Sequence, residues 1–345
     1  MLVFVIRLII FSNNLKNFNG HIIRISAKVL QEPSKFSNSQ KFYLEGFNFY
    51  LPKYPQISYG DRVTVEGNVE DGKVINAKLI NLENNENVFL GFRKKIISFY
   101  KESLPESHSS LVAGIILGYK SEQTGIFWSQ LRKTGTMHVV VASGMNVAFV
   151  AGFLMSILLM FMPRKKAILV SLVGIWIYSS ISGFEAPIVR STIMFSIALV
   201  AQLFGRLSFS INALFLSALL MLVVKPVWIY DLGFILSFTA TTSLMLFTKR
   251  VEKLLKWIPK YIKTDLTTTL AAQIGVAPIL FVTFGGFNLL SPLVNTLILW
   301  TVPLIMIIGS VGGIIGLIIP TLGRLILYLV YPLTWYFISI VGVFS

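Results

Sequence analysis

The chain has 345 residues, of which 54% are hydrophobic and 13% charged, with a formal net charge of +15. Soluble domains carry roughly 25% charged residues, so the composition excludes an ordinary soluble protein. There is no cysteine, which excludes disulfides and thiolate metal sites, and His21, His108 and His138 are too dispersed for a histidine metal centre. No metal or cofactor is expected.

The apolar residues are bunched. Val139 to Met162, Leu266 to Gly323 and Leu325 to Ser345 contain no charged residue, and a helix needs about 20 apolar residues to cross a bilayer. Residues 12–91 are different: polar, with nine Lys/Arg against eight Asp/Glu. The cationic excess lies beyond them, mostly in loops between apolar segments, as the positive-inside rule requires of a membrane protein. The expected class is a polytopic α-helical membrane protein with a small N-terminal all-β, OB-like domain.

In chain order, residues 1–11 are apolar apart from Arg7. They are too short to span and read as a possible partial membrane anchor. Residues 12–91 form the β domain. Ile23, Ile25, Ala27 and Val29 alternate with Arg24, Ser26 and Lys28, a period of two. Lys41–Tyr50, Asp61–Glu70 and Lys73–Leu82 continue the pattern, with a hairpin signal at Asp71-Gly72. Short strands in this number suggest a small barrel such as an OB-fold. Such barrels bind single strands by stacking bases on aromatics in a basic groove. Tyr43, Phe49, Tyr59 and Arg62 are the candidates here, although the near-neutral charge opposes strong binding, and the same aromatics could fill the barrel instead.

Residues 92–136 read as amphipathic helices, interfacial or re-entrant, broken at Gly118 and Gly135. The domain 137–345 then offers spans at 138–162, 167–183, 187–205, 211–224, 232–248, 267–284, 291–318 and 322–344. If each crosses, Arg164-Lys165-Lys166, Arg206, the cluster at 249–263 and Arg324 share one side, and Glu185, Lys225 and Asp231 the other. That places the basic loops in the cytoplasm and the β domain outside a cytoplasmic (inner) membrane. Lys249, Lys253, Lys256, Lys260 and Lys263 recur at helical spacing. They suit an anionic leaflet or, with Lys253, Lys256 and Lys260 foremost, a cytoplasmic docking site for emerging DNA or a motor.

Polar side chains inside membrane segments are costly and mark functional candidates. His138 heads the first long segment, with Ser143 and Asn146 deeper. Glu185 and Arg190 flank the start of the third and are expected to pair or line a pore. Asp231, Gln273 and Asn295 complete the set. Each also has a purely structural use, as an interhelical hydrogen bond.

The stretches Leu117-Gly118-Tyr119-Lys120 and Leu131–Val147, with Thr134-Gly135, His138, Ser143-Gly144 and Asn146, resemble the signature of the ComEC family of competence proteins. Ser182-Gly183-Phe184 with Pro187 and Arg190 resembles a second block. Asp231-Leu232-Gly233-Phe234-Ile235-Leu236-Ser237-Phe238 resembles a third, and Gln273, Pro278, Phe284-Gly285, Ser291-Pro292, Asn295 and Pro303 resemble a fourth. The order and spacing also match. The resemblance implies a channel that passes single-stranded DNA into the cell during natural transformation. It also implies an extracellular OB-like module, a DNA receptor outside, and a motor ATPase and single-strand-binding proteins inside. One family histidine is Asn146 here. The metallo-β-lactamase motif of longer members is missing, so no nuclease, and no enzymatic activity, is expected.

Two other classes are open. An intramembrane hydrolase built on Ser143 and His138 suffers from a spacing of five, which does not share a helical face. A small-solute transporter would show inverted repeats, and none is evident.

Overall fold

The computed structural model describes residues 20–29, 33–36, 38–45, 47–70, 73–83, 88–119, 125–140, 143–206, 209–284, 288 and 290–345. The segment 1–11, the Asp71-Gly72 turn and Gly285 lie outside them. Six strands form one sheet: β1 Ile22–Lys28, β2 Ser34–Lys35, β3 Ser39–Leu44, β4 Phe47–Pro52, β5 Arg62–Glu70 and β6 Lys73–Glu83. The strand order is β1-β5-β6-β4-β3-β2. All pairings are antiparallel except β4 with β6. Strands β1 and β3 stand far apart in that order yet touch, so the sheet curls towards itself. The period-two reading of β5 holds: Val63, Val65 and Val69 point into a core with Phe42, Leu44, Phe49, Leu51 and Ile57.

The helical part begins with α1 Val88–Ser103, α2 Glu106–Leu117, α3 Ile126–Thr134 and α4 Met137–Val140. Next come α5 Gly144–Phe161, α6 Arg164–Ile181, α7 Ala186–Leu203 and α8 Ser210–Val224. A 3-10 turn, Pro226–Tyr230, leads to α9 Leu232–Leu254, and α10 Lys260–Phe284, α11 Ser291–Ile298, α12 Thr301–Gly316 and α13 Pro320–Val343 follow. Left-handed Gly118 and Gly135 end α2 and α3, as glycine does at helix C-termini.

Helix α2 is enclosed by other helices along its second half. Every residue from Ser109 to Leu117 is buried, against α1, α12 and α13. A helix that is apolar all round has no face for water and belongs in a core. Arg93 is also buried and donates to the Leu117 carbonyl (3.0 Å), tying α1 to the end of α2.

Among the described residues, five helices are long and apolar enough to cross a membrane: α5, α7, α9, the Lys263–Thr283 part of α10, and α13. The expected span 291–318 is instead the pair α11 and α12, bent by 44°. Pro303 accounts for the bend, because it lacks the N–H that would bond the Leu299 carbonyl. The expected span 167–183 is α6, whose 18 residues open with Arg164, Lys165 and Lys166, leaving too little apolar length to meet the same standard. Helix α8, with 15 residues, is short as well. The molecule is thus a multi-helix membrane domain preceded by a small β domain.

Candidate functional site

Helix α7 opens with Pro187 in its first turn, where proline's missing N–H costs nothing. This places Arg190 one turn inside the membrane domain, where it is 9% exposed. Its Nε donates to Ser237 Oγ on α9 (2.7 Å), its Nη2 to Ser191 Oγ (3.1 Å), and its Nη1 lies 3.3 Å from Met194 Sδ. The guanidinium carbon stands 5.9 Å from the Phe238 ring centre. A third helix closes the site, because a Cβ on Gly144, the first residue of α5, would overlap Ser191 Oγ and stand 2.8 Å from Arg190 Nη2.

All of these partners are neutral, which corrects the expectation that Glu185 holds Arg190. The two are five residues apart, and helical neighbours are three or four apart. Glu185 stays at the N-cap of α7. A buried cation with no carboxylate beside it among the described residues costs several kcal/mol to keep.

Asn146 is fully buried. Its Nδ2 donates to the Ile115 carbonyl on α2 (2.8 Å), and its Oδ1 accepts from Ser143 Oγ (3.2 Å). This pins α5 to α2. The Tyr178 hydroxyl at the end of α6 faces Ser182 and Asn146, while the hydroxyls of Ser179 on α6 and Thr192 on α7 are buried with no hydrogen-bond partner among the described residues. Each such group costs about 1–3 kcal/mol if it stays dry. Together with Arg190 they give the α5–α6–α7 region a polar interior.

The remaining nominated residues are scattered. His138 is exposed, with Nδ1 3.0 Å from the Gly135 carbonyl. The Ser143 hydroxyl is committed to Asn146, so the two do not form a hydrolytic pair. Asp231 caps α9, its Oδ1 accepting from Phe234 N (2.8 Å), and thereby orients the helix that carries Ser237. Gln273 is half-buried on α10. Asn295 is buried on α11, with Nδ2 3.4 Å from Ser291 Oγ and Oδ1 without a partner among the described residues. Ser291 in turn packs against Gly135.

The competence protein family matches residues 115–345. The chain belongs to that family. It is 27% identical over 238 residues to ComE operon protein 3 of Bacillus subtilis, covering 68% of this chain and 30% of that protein. It is 28% identical over 283 residues to an uncharacterised protein of Aquifex aeolicus, covering 78% of this chain and 62% of the other. The chain thus spans less than two thirds of the length of either relative. No solved structure matches it. The family match takes in α3 to α13, and so the whole Arg190 site, and leaves the β domain outside.

In the β domain, three of the four nominated DNA contacts are engaged internally. Phe49 is wholly buried and stacks on Phe42 with ring centres 5.7 Å apart, because odd-numbered positions of β4 face the core; no base can reach it. The Tyr59 hydroxyl donates to the Ser180 carbonyl at the end of α6 (3.2 Å), and Arg93 covers its ring at 5.6 Å. Tyr43 meets the membrane domain too: Lys225 Nζ lies 5.2 Å from its ring centre and 5.6 Å from that of Trp228. Burial pushes the Tyr43 phenol well above its usual range, with Asp231 and Glu45 adding to the effect. Burial draws the Lys225 ammonium down, opposed by the same two carboxylates. Only Arg62 of the four is exposed.

The lysine cluster is not one helical face. Helix α9 ends at Leu254 and α10 starts at Lys260; Pro259 and the conformational restriction it places on Ile258 break the helix between them. Lys253 and Lys256 are exposed, Lys263 pairs with Glu252 (3.5 Å), and Trp257 is 97% exposed. The side chain of Lys260 lies outside the description.

Sequence reasoning named Arg190 but not Ser191 or Gly144 as its neighbours, nor the Lys225–Tyr43–Trp228 contact. Spacing could have found Ser191 and Met194, which sit one and four residues after Arg190. Nothing in the sequence brings Gly144 or Tyr43 to their partners.

Proposed function

We propose that this chain provides the path by which single-stranded DNA crosses the cytoplasmic membrane during natural transformation. The observation that carries the reading is Arg190: a buried guanidinium, held by neutral groups from α7 and α9 beside a glycine of α5. Each nucleotide brings about one negative charge, which hydrocarbon excludes. A fixed cation with no carboxylate beside it among the described residues offers a phosphate a partner that a salt bridge would already have consumed. Conduction needs contacts weak enough to release, and one arginine among hydroxyls meets that need better than a basic cluster. His138, Ser143, Glu185, Asp231, Gln273 and Asn295 enter as flanking or supporting groups on the same path.

On this reading the basic segments at 164–166, 206, 249–263 and 324 face the cytoplasm and the β domain faces outward. A DNA receptor would act outside. A motor ATPase and single-strand-binding proteins would act inside, with Lys253, Lys256 and Lys260 nearest to them. The chain itself is a conduit and not an enzyme.

The test is uptake of labelled DNA into a nuclease-protected state in cells lacking the gene, complemented with wild type or Arg190→Gln. Loss of charge-assisted hydrogen bonds worth about 1.5–3 kcal/mol should lower uptake roughly ten- to a hundredfold, with surface DNA binding and membrane levels unchanged. Wild-type uptake in Arg190→Gln would remove Arg190 from the path. Normal uptake without the gene would overturn the function and return the solute-transporter reading.

A further inference from the structure

A second feature of the membrane domain is independent of DNA. Between α7 and α8, at the C-terminal end of α7, lies a groove of about 510 Å³ lined by Ile197, Ala201, Phe204, Phe209, Ala213 and Leu216, with Arg206 and Asn212 its polar members. That volume is within the roughly 300–1,000 Å³ of ligand sites. The chain reverses at left-handed Gly205, where Gly205 N bonds the Gln202 carbonyl (3.2 Å) and Arg206 N the Ala201 carbonyl (2.9 Å). The turn brings Arg206 back over the end of its own helix. Asn212 is in the first turn of α8, where helix N–H groups favour an anion.

The charge around the groove is one-sided. Arg164 donates to Gln202 Oε1 (3.2 Å), which joins the exposed Arg164-Lys165-Lys166 run to the end of α7 that carries Arg206. Between residues 164 and 206 the sole acid is Glu185, at the opposite end of α7. An apolar trough with cations at one end matches an anionic amphiphile: hydrocarbon against Ile197, Ala213 and Leu216, and a phosphate at Arg206 and Asn212.

We propose that this groove is a binding site for one anionic phospholipid, with an acyl chain between α7 and α8 and its phosphate on Arg206. Because α7 also carries Arg190, the lipid would brace the helix that positions the buried guanidinium.

Native mass spectrometry of the full chain in detergent, titrated with phosphatidylglycerol or phosphatidylcholine of equal chain length, tests it. Phosphatidylglycerol should bind in preference. Arg206→Gln should lower its occupancy about fivefold, the effect of roughly one surface cation. Leu216→Trp, which fills the trough from an exposed position, should reduce binding of both lipids, and Arg324→Gln, on another helix, should change neither. Equal binding of the two lipids, unchanged occupancy in Arg206→Gln, or a dimer that disappears with Leu216→Trp while lipid binding does not would each overturn the proposal.

Discussion

The position of Gly144 gives a direct test of whether the geometry around Arg190 matters. In Gly144→Ala the new methyl overlaps Ser191 Oγ and lies 2.8 Å from Arg190 Nη2 and 3.4 Å from the Pro187 carbonyl. The first two are side-chain ends that can move, while the third is backbone at ordinary contact distance. Relief therefore comes from displacing the guanidinium and rotating Ser191. Overpacking of this kind costs about 1–3 kcal/mol, and alanine returns up to about 1 kcal/mol of helix propensity. The net loss of stability is thus small, and the protein still folds. The local loss is larger, because Nη2 gives up its bond to Ser191, a charge-assisted contact worth about 1.5–3 kcal/mol. Uptake of labelled DNA should fall at least tenfold while thermal unfolding in detergent shifts by a few degrees. Ser191→Ala added to Gly144→Ala removes the overlap and should restore part of the uptake. Wild-type uptake in Gly144→Ala would show that the placement of the guanidinium is irrelevant to transport, and failure of the double variant to recover would show that the overlap is not the cause.

Arg190→Met keeps the length and removes an unpaired buried charge, so its unfolding temperature should stay level or rise, as when apolar residues replace buried charges, while uptake is lost; a large drop in unfolding temperature with uptake retained would make Arg190 structural. Tyr100→Phe removes a buried hydroxyl that donates to the Gly309 carbonyl (2.9 Å). It should cost about 0.5–1.5 kcal/mol in a denaturation measurement and leave uptake per folded molecule unchanged.

Much of the fold could be read from the chain because two periods are cleanly separated in it. The alternation of Val63, Val65 and Val69 marks a strand with one buried face, and the uncharged runs mark membrane helices. What escaped depended on long-range contact. Helix α2 looks like other short helices in sequence, and only its enclosure by α1, α12 and α13 shows that it is core. Arg190 stood out because a charge in an apolar run is rare, but its partner could not be inferred: Glu185 is nearer in sequence, and Ser237, 47 residues away, is nearer in space. The aromatics of the β domain misled for a related reason. Their residue type suits base stacking, and equally suits a barrel interior or a domain joint; composition does not distinguish these uses, whereas strand parity removes Phe49 at once.

The joint is where the last prediction lies. Tyr59, in the turn before β5, and Tyr43, on β3, meet different parts of the bundle, Ser180 on α6 and Lys225 before the 3-10 turn. Two separated contacts fix an orientation that one would leave free to pivot. Tyr59→Phe removes the hydroxyl's hydrogen bond to the Ser180 carbonyl, worth about 0.5–1.5 kcal/mol, and keeps the ring under Arg93. Lys225→Met removes a cation shared by two rings, worth up to about 2 kcal/mol where it is partly desolvated, and keeps the apolar stem. If the contacts act independently, their effects add, and the double variant should loosen the joint by the sum. Hydrogen exchange reads this directly. Amides of β3 and of the residues around Ser180 should exchange faster in each single variant and fastest in the double, while β5, inside the domain, keeps its protection. If β5 loosened equally, the tyrosines would be supporting the fold of the β domain and not its seat on the membrane helices. Unchanged exchange in the double variant would mean that the covalent link through α1 and the burial of Arg93 suffice to hold the domain, and the path to Arg190 would then have a mouth whose shape does not depend on Tyr43.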